Sequence, residues 1–300
     1  MASQPTAATP PRDSVNHGLR FVVAWLVLSV IATPLVVIFV GPILPPGNMT
    51  TQAHEQIYDN TWLAAVSTPV LCLVVVFLVY AFVYFRAPKG GALVDGPPLR
   101  EHAGIQVVWI VITSVTVLML AAFGTYQLLQ NGSGGGQGPS PVAVPAGASH
   151  NLAVQVIGQQ WEWTFRYPSF GGVETHELVL PQHTSVTLHV TSLDVVHSFW
   201  AYQLGVKADA NPGTDNVAYV QTRGPGTFQI RCAELCGLFH GYMFSTGRVV
   251  SATQFQSWAK TQEAIYKTIA KYVPPYAKTY ICPAAGTSPT CSPQPTLRGG

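Results

Sequence analysis

Cys232-Ala-Glu-Leu-Cys236-Gly-Leu-Phe-His240-Gly-Tyr-Met243 gathers two thiols, an imidazole and a thioether in twelve residues. All are soft or borderline metal donors. Upstream, Asp194-Val-Val-His197-Ser-Phe-Trp200 supplies a second imidazole at the end of an expected strand. Zinc sites usually take four tight Cys, His or carboxylate ligands and have no use for a thioether, whereas sulfur with imidazole suits copper. A mononuclear copper site needs one Cys. Two Cys flanking Glu234 can bridge two metals, leaving one His and one weak ligand for each, which predicts a binuclear, thiolate-bridged copper centre. Two plainer readings compete, a Cys232–Cys236 disulfide and a zinc site. The joint spacing Cys-x3-Cys-x3-His-x2-Met, with a His upstream, weighs against both.

Around this loop the chain is too apolar for an ordinary soluble protein, at 48 % hydrophobic and 9 % charged residues. The cause is local. Residues 21–44, 62–85 and 105–129 form long uncharged runs, each meeting the roughly 20 residues that a helix needs to cross a hydrocarbon core. The cations of the first 130 residues are Arg12 and Arg20, before run one, and Arg86, Lys89 and Arg100, between runs two and three. The connection 47–61 carries Glu55 and Asp59 but no Lys or Arg. By the positive-inside rule the N-terminus is cytoplasmic and everything after residue 129 lies outside. Run one is too long for a secretory h-region, and Gly41-Pro-Ile-Leu-Pro-Pro offers no small-x-small cleavage site; it reads as a retained helix, with Pro34 as a kink. Cys72 lies in a membrane run and reads as packing. Cys282 and Cys291, in the Pro-rich tail on the oxidising side, read as a disulfide.

Asn131-Gly-Ser-Gly-Gly-Gly-Gln-Gly-Pro-Ser-Pro reads as a linker with no capacity to bury a core. Beyond it come short alternating segments divided by Gly and Pro turns: 150–157, 161–167, 175–180, 185–191, 199–202, 217–221, 226–231 and 242–250. That is the pattern of a sandwich or barrel. Residues 251–272 read as an amphipathic helix. A His from an earlier strand followed by a compact Cys/His/Met loop is the arrangement of cupredoxin copper centres. The expected fold is therefore a membrane-anchored all-β protein, with three transmembrane helices, a cupredoxin-like barrel or sandwich and a C-terminal helix. The divisions run 1–20 (cytoplasmic tail), 21–44 (first helix), 62–129 (helical hairpin), 130–149 (linker), 150–251 (copper domain) and 252–300 (helix and tail). The exported part holds ten Lys/Arg and eight Asp/Glu, close to neutral, so the signal of a strongly acidic face that would steer a basic partner at long range is weak.

The metal loop resembles the copper-A motif of cytochrome c oxidase subunit II, and the resemblance runs from about residue 60 to residue 260. Similar loops occur in nitrous oxide reductase. The resemblance implies that His197 and His240 each ligate one copper, that Met243 is a weak axial ligand, and that the backbone carbonyl of Glu234 completes the set. It further implies that the Glu234 carboxylate helps bind magnesium against subunit I, the plainer reading being a solvated carboxylate. Gly158-Gln-Gln-Trp161-Glu-Trp163-Thr-Phe165-Arg-Tyr167 resembles the family's aromatic stretch, whose first Trp receives electrons from cytochrome c. Trp161 takes that role. At period two, Trp163, Phe165 and Tyr167 read instead as one packed strand face. Asp194 reads as a hydrogen-bonding support for the ligands. Arg231 and Arg248 read either as partners of haem propionates in subunit I or as partners of Asp194 and Asp209. The subunit II family typically has two helices, so run one is an addition.

One position departs from the pattern. The hairpin's second helix usually carries a Glu three before a Trp, near the cytoplasmic mouth of a proton path. Here Gln106 precedes Trp109, and an amide does not exchange protons at neutral pH. Either Glu101 or His102 substitutes, or that entrance works differently. The resemblance implies an electron-transfer subunit of a proton-pumping terminal oxidase in a bacterial plasma membrane. It would take electrons from a c-type cytochrome, held within a larger assembly, and pass them to haem in subunit I, where oxygen becomes water. Subunit I, subunit III, that cytochrome and membrane lipid are the expected partners; nucleic acid is not. A copper-A subunit of a membrane nitric oxide reductase shares the electron path and stays open on the sequence. A membrane-anchored copper-delivery protein needs exposed, exchangeable thiolates, which the embedded Met/His set disfavours.

Overall fold

A computed structural model describes residues 16–86, 102–132, 135–145 and 152–269; the expected Cys282–Cys291 disulfide and Glu101 lie outside them. The chain divides into two compact units, one built from residues up to 41 with 61–98, the other from 42–60 with residues from 99 onward. Three stretches, His17–Ile43, Thr51–Tyr84 and Ala103–Gln130, are long and apolar enough to span a membrane. In the first unit, α1 (His17–Leu35) starts on Asn16, whose side chain accepts the Leu19 N–H at 2.9 Å. Pro34 sits one residue before the α-helical ladder ends, and π-helical turns continue over Val36–Val40, as expected where proline removes a donor. The Trp25 indole donates to the Pro69 carbonyl at 2.8 Å in α2 (Thr51–Tyr84). The His17 ring and the Tyr80 hydroxyl meet at 2.8 Å.

α2 begins well before its apolar run. The connection expected over residues 47–61 is instead helical from Thr51. The Thr50 hydroxyl accepts the Ala53 N–H at 3.0 Å and donates to the Leu204 carbonyl at 2.6 Å. Gln52 accepts the Gln221 N–H at 2.8 Å, and Gln56 donates to the Gly205 carbonyl at 2.7 Å. The first turns of α2 are thus held by long-range contacts that no local pattern announces. α3 (Ala103–Asn131) opens on His102, whose Nδ1 accepts the Ile105 N–H at 3.3 Å.

The rest of the second unit is a sandwich of two five-stranded sheets. Its strands are β1 (Leu152–Gln159), β2 (Glu162–Tyr167), β3 (Val173–Thr175), β4 (Leu178–Pro181), β5 (Ser185–Ser192), β6 (His197–Ala201), β7 (Val206–Ala210), β8 (Asn216–Gln221), β9 (Gly226–Cys232) and β10 (Phe244–Val250). One sheet runs β3-β2-β1-β5-β8, the other β4-β10-β9-β6-β7. The pairs β1–β5 and β4–β10 are parallel, the others antiparallel. Strict alternation drives the packing. Val186, Leu188 and Val190 of β5 point inward, as do Val206, Ala208 and Ala210 of β7 and Phe228 and Ile230 of β9. Tyr167 stitches the two sheets, its hydroxyl accepting from Val179 N–H and donating to Val179 O. α4 (Ala252–Ile269) opens with a reciprocal cap, in which Ser251 Oγ accepts the Gln254 N–H and Gln254 accepts the Ser251 N–H. It lays Phe255 and Trp258 against Tyr167.

The linker expectation fails for part of its length. Gly136 donates to Lys207 O, Gln137 N–H to Val217 O, and Gly138 N–H to the Asn216 side chain, so this stretch runs along β7 and β8. A Cβ at Gly136 would sit 2.3 Å from the Asn216 amide, which is why the close approach needs glycine. Glycine also matters in the core. At Gly247 of β10 an added Cβ would lie 2.2 Å from the Phe228 ring and 2.7 Å from the Leu178 carbonyl. Neither a buried ring nor a strand backbone can yield cheaply, so Gly247→Ala is expected to cost about 1–3 kcal/mol. The urea midpoint of the detergent-solubilised chain checks this.

Candidate metal centre

Strand alternation aims the first ligand. On β9 the inward positions are Phe228, Ile230 and then Cys232, the last residue of the strand, so the thiol closes the end of the core. β6 pairs with β9, Phe199 lying opposite Cys232, and His197 opens β6 fully buried. The strand therefore begins two residues earlier than its aromatic pattern suggests, with His197 at its start. Gly158 makes room, since a Cβ there would approach both the His197 and Trp163 rings to 3.1 Å. Residues 233–243 loop out and return, with the Cys232 N–H donating to the Met243 carbonyl at 3.1 Å. That bond places the Met243 thioether, itself buried, back beside the sulfurs.

The two Sγ atoms lie 3.8 Å apart. Cys232 Sγ is 3.9 Å from His197 Nδ1 and 3.2 Å from the Glu234 backbone oxygen. Cys236 Sγ is 3.5 Å from His240 Nδ1 and 3.8 Å from Met243 Sδ. Ligand atoms of His197, Cys232 and Cys236 all fall within 4.8 Å of one another, and this group can hold a metal ion. Two sulfurs side by side, each flanked by one imidazole and one weaker donor, are a donor set suited to copper.

The surroundings support the donors. Asp194 accepts from the His197 Nε2 side at 2.9 Å, leaving Nδ1 for the sulfurs, and its other oxygen accepts the Gln160 N–H at 2.7 Å. Burial opposes ionisation of Asp194, but the Gln160 N–H, the His197 ring and the Val195 N–H outweigh it and hold the carboxyl below its ordinary value. Burial first, then the neighbouring Cys232, pushes the Cys236 thiol up to about 12. Without metal it keeps its proton at neutral pH. Metal uptake must displace that proton, so affinity falls as pH drops. We expect about tenfold or more weaker copper binding per unit between about pH 8 and pH 6, read by competition titration of the full chain; a flat profile would contradict a protonated thiol.

Trp161 sits in the turn before β2, not within the strand. Its ring is half-buried, stacked edge-on against Phe239 at 4.8 Å, and its indole donates to the Cys236 carbonyl at 3.2 Å. Trp163, Phe165 and Tyr167 are buried in the core, as their alternation suggests. Glu234 is exposed, two residues after Cys232. Arg231 and Arg248 do not pair with Asp194 or Asp209: Arg231 bonds Gln229 and Arg248 faces Glu177 at 3.2 Å, while Asp209 accepts from Ser198. Gln106 is exposed on α3, one turn beyond His102. Gln160, whose side chain donates to the Cys236 carbonyl at 2.8 Å, carries no sequence signal of its own; only the fold brings it there, across 76 residues.

A membrane-anchored, cupredoxin-like β-sandwich with a Cys/His/Met loop able to hold copper is the class that this fold and this geometry define. The profile of cytochrome C oxidase subunit II, periplasmic domain, matches residues 173–250. Cytochrome c oxidase subunit 2 of Emericella nidulans is 30 % identical over 184 residues, covering 53 % of this chain and 68 % of that protein. The Synechocystis subunit 2 is 29 % identical over 266 residues, covering 72 % and 79 %. The periplasmic domain of Bradyrhizobium japonicum subunit II (CoxB) is 32 % identical and superposes with a TM-score of 0.37, over 38 % of this chain and 95 % of that domain. The chain belongs to the cytochrome c oxidase subunit II family.

Proposed function

We propose that this chain is the electron-accepting subunit of a respiratory haem-copper terminal oxidase, with a binuclear copper-A centre held by His197, Cys232, Cys236, His240, Met243 and the Glu234 carbonyl. The observation that carries the reading is the pair of buried sulfurs at 3.8 Å with an imidazole nitrogen beside each. When bound, such a copper pair supplies a one-electron carrier whose charge is spread over two metals and two sulfurs. The chain's own residues do the rest. Trp161 presents its ring at the surface and ties its indole to the backbone of a ligand cysteine, shortening the gap that an electron from a c-type cytochrome must cross. Asp194 fixes the His197 ring. Buried Cys236 and Met243 keep water off the sulfurs, so little solvent rearranges when charge arrives.

Electrons then pass to haem in subunit I, where oxygen is reduced to water and protons are moved. The Glu234 carboxylate, exposed in the loop, would share a magnesium ion with subunit I, as carboxylates suit that cation. Subunits I and III, the cytochrome, alone or within a supercomplex, and membrane lipid are the partners in this reading. α1 is an additional transmembrane helix, the apolar part of α2 and α3 correspond to the two membrane helices typical of the family, the N-terminus is cytoplasmic, and the copper domain lies outside. At the proton entrance, where Gln106 replaces the usual carboxylate, Glu101 or His102 substitutes for it, or that entrance works differently. The test is the metal content and paramagnetic spectrum of the purified full-length chain. Two coppers per chain and the multiline signal of a mixed-valence pair are expected; one copper with a single-metal pattern would overturn the proposal.

A further inference from the structure

The Cys236 carbonyl accepts two N–H donors from consecutive residues, the Gln160 side-chain amide at 2.8 Å and the Trp161 indole at 3.2 Å. Gln160 also donates its backbone N–H to Asp194 at 2.7 Å, and Asp194 in turn holds His197. One residue therefore completes a chain of hydrogen bonds, from the imidazole of one metal-binding strand, through Asp194 and Gln160, to the backbone of the sulfur-bearing loop. Gly237 makes the close approach possible. It adopts φ +116°, and a Cβ there would come 3.0 Å from the Gln160 amide nitrogen and 3.3 Å from the Trp161 ring, where no other residue would sit without strain.

From this we infer that Gln160 is a positioning residue for electron acceptance: its amide clamps the Cys236 carbonyl so that the Trp161 indole stays docked on the ligand backbone. The inference deepens the copper-A reading and rests on it. Physically, the shorter amide bond fixes the acceptor, and the longer indole bond depends on a fixed acceptor. Two donors on the backbone carbonyl of a sulfur-ligand residue also draw electron density away from the site, which favours its reduced form. Gln160 is exposed overall, so its replacement should leave the fold intact.

The test uses the full chain in detergent, as wild type, Gln160→Glu and Gln160→Leu. Both variants lack the amide donor; the first keeps the side chain's size and the second its bulk without polarity. Three quantities are read: solvent exchange of the Trp161 indole proton in the metal-free chain (isotope-labelled indoles, assigned with Trp161→Phe), the midpoint potential, and the rate of reduction by a c-type cytochrome. Losing one modest hydrogen bond should speed the indole exchange by about three- to tenfold. The potential should fall, and reduction by the cytochrome should slow by a similar factor, with copper content unchanged. Unchanged indole exchange and unchanged potential in both variants would overturn the inference. Should a variant fail to load copper, exchange in the metal-free chain still decides. A wild-type chain without a copper pair would sink the functional reading instead, and is seen before any variant is made.

Discussion

Replacing Cys232 and Cys236 together with serine leaves a folded chain that retains no copper and accepts no electrons from a c-type cytochrome. The reason lies in the donor set. His197, His240 and Met243 remain, but a hydroxyl is a hard, weakly acidic donor that does not replace a bridging thiolate. Changes beyond the ligands of a metal site already cost about 10–100-fold in affinity; removing both sulfurs would remove the soft donors that the proposed copper pair would share. The fold is expected to persist because Cys236 and Cys232 close only the end of a core otherwise made by Phe199, Phe228, Ile230 and their neighbours. Copper analysis, paramagnetic resonance and circular dichroism on one preparation check all three parts. A double variant that keeps a full copper complement would end the copper-A assignment.

The largest expected stability effect belongs to Trp163→Ala. Trp163 is 1 % exposed, and its ring meets Phe199 at 5.6 Å and His197 at 6.0 Å, both edge-on. Truncation removes the side chain that fills the space between the two sheets beneath the metal loop, at a cost of about 3–5 kcal/mol. It also frees the His197 ring, so copper should be held less tightly as well. Trp163→Phe makes the contrast. The indole nitrogen of Trp163 is buried with no hydrogen-bond partner among the described residues, so phenylalanine sheds an unsatisfied donor along with some ring volume. The expected loss is smaller, about 1.5 kcal/mol or less. Urea denaturation of the metal-free chain, followed by circular dichroism, separates the two. Equal losses would mean that ring volume at this position is not what holds the sheets together.

The donors of the metal loop were legible because they are local: Cys232, Cys236, His240 and Met243 lie within one turn-rich segment whose spacing alone limits what it can bind. The membrane runs were legible for a similar reason, since length and the absence of charge decide whether a helix can cross lipid. The strands with clean alternation, such as β5 and β9, announced their inward faces. Sequence did not reveal where α2 begins, because Thr50, Gln52 and Gln56 are polar residues whose helical start depends on Leu204, Gly205 and Gln221. It did not reveal that Gly136 and Gln137 pair with β7 and β8, because glycine-rich composition reports freedom and not partners. Nor could period two separate Trp161 from Trp163. One residue of turn puts the first at the surface on the Cys236 carbonyl and the second in the core. Sequence determined which donors are present and what they can hold. Tertiary structure decided that His197 stands beside the Cys232 sulfur and that the Gln160 amide reaches the Cys236 carbonyl, because those neighbours are separated by 35 and 76 residues along the chain and only the fold brings them within reach.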